Sequence, residues 1–165
     1  MYEKVKKKTK PKGNLPLYLL VSLCLALIGL VIGMGIWAGS YLAGFRNFVG
    51  DLSNSTTYAY QYDCLYAQTE EGKIHIAPNN VYAIYSRIAN AGAGRISPPP
   101  ETPPEATLTY GDGTYMELWT VKLVNPTRDR EYGLFIRYVN QEGKAYSYDS
   151  DKLEITMLQL ESWKN

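Results

Sequence analysis

Side chains suited to catalysis or metal binding are few and scattered in this sequence. His75 is the only histidine, and no partner of metal-ligand type follows at the required spacing. Cys64 has no base beside it in the sequence, as a nucleophile would need. Asp149, Asp151 and Glu154 lie close together but lack the glycine and oxygen spacing of a calcium-binding loop. The sequence therefore predicts no catalytic residue, metal ligand or cofactor, although a glycosidase-like carboxylate pair formed only in the fold stays open.

A long apolar stretch near the N-terminus dominates the sequence. Residues 15–42 contain no charged side chain, and the nearest charges are Lys12 and Arg46. A helix needs about 20 apolar residues to cross a bilayer, so this stretch is long enough. It also exceeds the roughly 7–15 apolar residues of a signal peptide, which favours an uncleaved transmembrane helix. The small residues that end at Ser40 keep cleavage there as the alternative.

A short basic tail precedes the apolar stretch. Residues 1–14 contain six lysines and one glutamate. Positively charged residues beside a transmembrane helix stay on the cytoplasmic side. The sequence therefore predicts a cytoplasmic tail, an extracytoplasmic C-terminal part, and the lipid bilayer as a partner of the protein.

Small residues recur along the predicted transmembrane helix. Gly29 and Gly33 form one G-x-x-x-G pattern, and Gly35 and Gly39 form a second. Small residues let helices approach closely in lipid, where packing drives association. The predicted helix-packing residues are Ser22, Ala26, Gly29, Gly33, Gly35 and Gly39. The helix could pack against a second copy of itself or against another membrane protein. The alternative is that these glycines only reflect the ordinary frequency of glycine in membrane helices.

The remainder of the chain is acidic and of single-domain size. Residues 51–165 carry ten lysines and arginines against fifteen aspartates and glutamates, a net charge of −5. This balance argues against a nucleic-acid partner, which requires a basic face. Cys24 lies inside the apolar stretch, so an internal disulfide with Cys64 is not expected. Cys64 is predicted to be a small core residue, with pairing between chains as the alternative.

Local patterns predict a linker at residues 43–56 and an α+β domain at 57–165. The polar run at 53–57 is typical of a tether, and alternating tyrosines over 57–67 predict a strand. Apolar residues at i, i+3, i+4 and i+7 after Asn79 and Asn80 predict a helix ending near Gly92.

Turn residues predict strand pairs in the rest of this domain. The glycines and aspartate at 111–113 are typical of a β-hairpin, and turns are also expected near 69–72 and 141–144. The last element, residues 153–163, fits both a strand and a helix, and its alternation favours a strand.

Two groups of residues are candidate partner contacts. Tyr58, Tyr60 and Tyr62 would share one side of the predicted strand, where tyrosines form either a partly covered core face, which is favoured, or a recognition face. Pro98, Pro99 and Pro100 belong to a segment, 92–105, with five prolines. That segment is either a stiff surface connection, which is favoured, or a docking loop for a proline-binding partner.

Residues 57–155 resemble small uncharacterised extracytoplasmic domains of Gram-positive bacteria that are tethered by one helix or a lipid. The resemblance is one of pattern, carried by VYAIYSRIANA, the proline-bearing loop, LTYGDGTYMELW and GLFIRYVNQEGKAYSYDSDKL. It implies a bacterial envelope protein and assigns no functional residue.

Together these patterns predict a single transmembrane α-helix plus a small α+β extracytoplasmic domain, with a mostly antiparallel sheet and one covering helix. The predicted function is that of a membrane-anchored binding or accessory protein of the cell envelope, without catalysis. The alternatives are a structural or regulatory subunit acting through its transmembrane helix and, less favoured, a small envelope hydrolase.

Overall fold

The structure, a computed structural model, describes residues 15–92, 98–127 and 129–163. The chain divides into two compact units, Met1–Tyr41 and Leu42–Asn165. The basic tail predicted for residues 1–14 lies outside the described residues.

The described part of the first unit is an apolar helix. It belongs to α1 (Leu15–Tyr62), and its side chains from 17 to 40 are exposed. An 18-residue window of α1 has a mean hydropathy of 2.7, and none of that window is buried inside the protein. By length and composition this helix is able to cross a membrane. The prediction of one long apolar N-terminal helix is confirmed.

The linker predicted for residues 43–56 is wrong, because α1 continues through this segment to Tyr62. Phe48, Leu52 and Ala59 are each at most 1% exposed and recur at helical spacing. Serine, threonine and asparagine are poor helix formers, so the polar run looked like a tether. Burial of one helical stripe against the sheet outweighs that weak preference.

The strand predicted for residues 57–67 is wrong as far as Tyr62, which ends α1. Asp63 has a φ of 51°, a left-handed conformation that stops a helix. Strand β1 begins only at Tyr66.

The second unit contains one six-stranded antiparallel sheet in the order β2-β1-β3-β4-β5-β6. Its strands are β1 (Tyr66–Thr69), β2 (Gly72–His75), β3 (Ala106–Thr109), β4 (Tyr115–Thr127), β5 (Arg130–Val139) and β6 (Ala145–Ser150). The hairpins predicted around 69–72, 111–113 and 141–144 are confirmed. Gly111 has a φ of 77°, and an added Cβ would lie 2.5 Å from the Cys64 sulfur, so this turn requires glycine.

Helices cover one face of the sheet. The buried row on that face runs in register from Ala67 through Leu108 and Met116 to Tyr138. The Phe48 ring packs on it, with its centroid 5.7 Å from that of Tyr138. Residues 42–62, which we call the second part of α1, therefore belong to the layer that covers the sheet. The expectation of a single covering helix is wrong.

The helix predicted after residue 79 is confirmed as α2 (Pro78–Asn90). Its stripe of Val81, Ile84 and Ile88 is buried as expected. The helix begins just before Asn79 and Asn80, at Pro78, with Ala77 as its N-cap, because proline fits the first helical position.

The strand favoured for residues 153–163 is wrong. Two short 3-10 helices, Ile155–Leu158 and Leu160–Trp163, occupy this segment. Gln159 between them has a φ of 53°, which interrupts any regular element. Leu153, Leu158 and Leu160 are buried at a spacing that fits neither a strand nor an α-helix.

Candidate functional site

The three tyrosines predicted as partner contacts lie near the C-terminal end of α1. Residues of a helix rotate by about 100° each, so Tyr58 and Tyr60 lie on opposite flanks of the buried stripe. Tyr58, Tyr60 and Tyr62 are 38%, 44% and 64% exposed. The favoured interpretation of these tyrosines as a covered core face is therefore wrong.

A fourth tyrosine, from α2, joins this exposed group. The rings of Tyr60 and Tyr82 lie 5.1 Å apart, and those of Tyr58 and Tyr62 lie 4.5 Å apart. Tyr82 is 43% exposed. We call Tyr58, Tyr60, Tyr62 and Tyr82 the tyrosine surface. Sequence reasoning missed Tyr82, whose only signal is an aromatic residue outside the apolar stripe of α2.

The helical segment that carries most of the tyrosine surface is uncharged. Residues 52–62 lie between Asp51 and Asp63 and contain no aspartate, glutamate, lysine, arginine or histidine. Asn54 and Gln61, both exposed, supply amides on the outward side of the helix. Protein contact surfaces are enriched in tyrosine and depleted in charge at their centres. Tyrosine, serine and asparagine also dominate the binding loops of antibodies.

A buried chain of hydroxyls holds this segment of α1 to the sheet. The Ser55 and Tyr138 hydroxyl oxygens are 2.9 Å apart, and those of Ser55 and Thr114 are 3.0 Å apart. The Thr114 hydroxyl donates to the Asp112 carboxylate at 2.6 Å. Each hydroxyl has one proton, so Tyr138 donates to Ser55 and Ser55 donates to Thr114. Ser55 and Thr114 are at most 2% exposed, so a substrate cannot reach these hydroxyls.

The carboxylate at the end of this chain is held in its charged form. Burial alone would raise the pKa of Asp112, but hydrogen bonds, first of all those from the hydroxyl and the backbone N–H of Thr114, lower it below its ordinary value. A lowered pKa means that Asp112 stabilises the fold above the ordinary aspartate pKa of about 4 and loses that contribution as the pH falls below it.

Asp112→Asn should remove this pH dependence. We expect the free energy of unfolding of the wild type to decrease relative to that of Asp112→Asn as the pH falls from about 6 to 3, since only the wild-type carboxyl takes up a proton. Urea unfolding at several pH values measures the difference. Asp129→Asn, at an exposed turn, is the control and should follow the wild type. A wild-type curve parallel to that of Asp112→Asn would contradict the assignment.

The chain's cysteine and histidine in the second unit have structural partners. The Cys64 thiol donates to the Tyr110 carbonyl at 3.1 Å, and burial first, then the charges of Asp112 and Asp63, raise its pKa. A raised pKa leaves less thiolate and a poorer nucleophile. The Nε2 atom of His75 lies 3.0 Å from the Asp63 carboxylate. This geometry favours packing roles over nucleophilic catalysis.

The predicted proline segment is partly described and lies against the sheet. Pro98 and Pro99 are exposed, and Pro100 is half-buried. The Trp119 indole donates to the Thr102 carbonyl at 2.8 Å, which attaches the segment to β4. Both interpretations of the prolines, a stiff surface connection and a docking loop, stay predictions; residues 93–97 lie outside the described residues.

The three C-terminal carboxylates do not converge on a common site. Glu154 lies 3.6 Å from the Arg130 guanidinium, and Arg130 also donates to the backbone carbonyl of Asp151 at 2.7 Å. Within the described ranges, no group of three or more histidine, cysteine, aspartate or glutamate side chains is placed to hold a metal ion.

The small residues predicted to pack helices divide into two faces of α1. At about 100° per residue, the pair Gly29 and Gly33 and the pair Gly35 and Gly39 are centred about 120° apart around the helix. Ser22 and Ala26 share the side of Gly29 and Gly33. The Ser22 hydroxyl donates to the Leu19 carbonyl at 3.0 Å, so its bond lies within the helix. A Cβ added at any of the four glycines would meet no atom of the described residues within 4 Å.

No protein-family model, curated protein sequence or solved structure matches this chain. The described residues form several exposed surfaces that could bind a partner. Among these surfaces, the tyrosine surface combines exposed aromatic rings with an absence of charge in residues 52–62, which carry three of its four tyrosines.

Proposed function

We propose that this protein is a single-pass, membrane-anchored binding protein of the cell envelope that contacts a protein partner through its tyrosine surface. One observation carries the proposal: four of the six exposed large hydrophobic side chains described after Leu42 belong to this surface, the other two being Val124 and Tyr132. Clustered exposed aromatic rings favour protein contact over simple solvation. The proposal includes no catalytic step.

The apolar part of α1 supports the anchoring role. Its side chains are exposed and apolar around the whole helix, a pattern that suits lipid on all sides. Trp37 and Tyr41 stack with ring centroids 6.0 Å apart, and such rings favour the membrane interface. The lysines of residues 1–14 support a cytoplasmic N-terminus with the second unit outside. The pattern resemblance to tethered domains of Gram-positive bacteria supports an envelope location.

Removing two rings should test the contact without unfolding the second unit. We expect Tyr58→Ala/Tyr60→Ala to reduce the yield of partner cross-linked to the full-length protein in its native membrane by about 10-fold, since each central aromatic contact is worth more than 1 kcal/mol. Mass spectrometry of the cross-linked products measures this yield.

Two observations control the experiment. Val124→Ala/Tyr132→Ala removes the other two exposed side chains and should leave the yield unchanged. The melting temperature of the tyrosine variant should stay close to that of the wild type, because these rings are half exposed. An unchanged yield with the tyrosine variant, or equal loss with both variants, would contradict the proposed contact.

A further inference from the structure

We propose that the partner of the tyrosine surface is a second copy of this chain, so that two copies form a symmetric dimer through this surface. The inference rests on the proposed function, because it names the protein that the surface binds. In a two-fold contact the same patch of each copy meets itself, so the patch must be complementary to its own chemistry.

Charge is the first argument for a second copy. Residues 51–165 carry a net charge of −5, so two copies repel each other over most approaches. Residues 52–62 carry no charge, so a contact confined to this segment brings no like charges together. An unlike partner is usually recognised by complementary charges, and this segment presents none.

Hydrogen-bonding capacity is the second argument. The tyrosine hydroxyl is both a donor and an acceptor, and so are the side chains of Asn54 and Gln61. Each such group can therefore form a hydrogen bond with the equivalent group of the second copy across a two-fold axis. Lysine only donates and an ionised glutamate only accepts, so neither can pair with itself. Gln61 is exposed and lies between the flanks that carry Tyr58 and Tyr60, which makes it the best probe of that axis.

The size of the surface indicates that membrane anchoring matters. At exposures of 38–64%, the four rings offer on the order of 400 Å² per copy, taking about 200 Å² for a whole tyrosine side chain. A standard interface buries about 800 Å² per partner. The dimer should therefore be weak in free solution. Confinement of both copies to one membrane raises the effective concentration of each copy for the other and should increase the dimer fraction.

Cysteine cross-linking tests the geometry in the full-length protein in its native membrane. The background variant is Cys24→Ala/Cys64→Ala, and its melting temperature is compared with that of the wild type. Gln61→Cys should then form a covalent dimer with a short bis-maleimide. Thr109→Cys is the matched control, because Thr109 is also exposed but lies on the sheet face opposite the helices. We expect at least a 10-fold higher dimer yield from Gln61→Cys.

A charge variant tests the same contact without the cysteine background. Gln61→Glu keeps the shape of the side chain but places two carboxylates near each other across the axis. We expect it to lower the dimer fraction, counted by single-molecule photobleaching, at low salt and to recover part of it at about 1 M salt, where screening acts within about 3 Å. Gln61→Ala, which adds no charge, should change the dimer fraction less.

The outcomes separate this inference from the proposed function. Equal dimer yields from Gln61→Cys and Thr109→Cys would overturn the inference that the partner is a second copy. If Gln61→Cys instead cross-links to a different protein, the second copy is overturned while the proposed function stands. Loss of the dimer in Gly33→Ile together with no effect of Gln61→Glu assigns association to the apolar part of α1, and this too overturns the inference.

Discussion

Phe48→Ala is expected to lower the free energy of unfolding of the second unit by about 3–5 kcal/mol, the usual effect of removing a buried phenylalanine ring. Phe48 is 1% exposed. Its ring centroid lies 5.2 Å from that of Tyr148 and 6.0 Å from that of Tyr146. Because small domains are stable by only about 5–15 kcal/mol, this loss should lower the urea midpoint of the protein in detergent by a large fraction.

The neighbouring residue provides the matched control. Asn47 is exposed on the same helix, so Asn47→Ala should change the free energy of unfolding by less than about 0.5 kcal/mol. If both variants gave similar small changes, the segment 43–56 would not be part of the core, and the linker interpretation would return.

Two arginines in the apolar part of α1 are expected to release the protein from the membrane. Leu27 and Leu30 are 54% and 57% exposed, so the described part of the protein leaves both positions open to the surroundings of the helix. An arginine near the centre of a transmembrane helix costs about 2.5–3.5 kcal/mol on insertion scales, so Leu27→Arg/Leu30→Arg should cost about 5–7 kcal/mol. The measurement is the fraction of protein that stays with carbonate-washed membranes.

The controls separate charge from the loss of leucine and from charge elsewhere. Leu27→Ala/Leu30→Ala keeps the stretch apolar and should remain in the membrane fraction. Asn47→Arg adds a charge in the second unit and should remain there too. Retention of the double arginine variant would mean that the apolar stretch is not the anchor.

The parts of the fold that could be predicted from sequence are those with local signals. The β3–β4 hairpin follows from glycine and aspartate at 111–113, and α2 follows from the spacing of Val81, Ile84 and Ile88. Each signal lies within the element that it specifies, so no distant contact is needed to interpret it.

The second part of α1 could not be predicted in this way. Three tyrosines at Tyr58, Tyr60 and Tyr62 imitate the two-residue period of a strand. The helical stripe beneath them is hidden because one of its members, Ser55, is polar and is buried only through partners supplied by the sheet. Tertiary packing therefore decided between two weak local preferences.

The tyrosine surface itself was only partly predictable. Tyr58, Tyr60 and Tyr62 lie close together in the sequence of α1. Tyr82 joins them only because α2 lies beside α1 in the fold, which no local pattern encodes. Ser55 and Thr114 are likewise 59 positions apart in the chain, and their contact exists only in the folded state.

The buried chain of hydroxyls that ends at Asp112 also constrains how this sequence can diverge. Losing Thr114 alone would leave the Ser55 hydroxyl without its acceptor, and an orphaned buried polar group costs about 1–3 kcal/mol. Replacing the hydroxyls together by apolar groups of the same shape can be nearly neutral. In related sequences, Ser55 on α1, Thr114 in the β3–β4 turn and Tyr138 on β5 should therefore be kept together or replaced together.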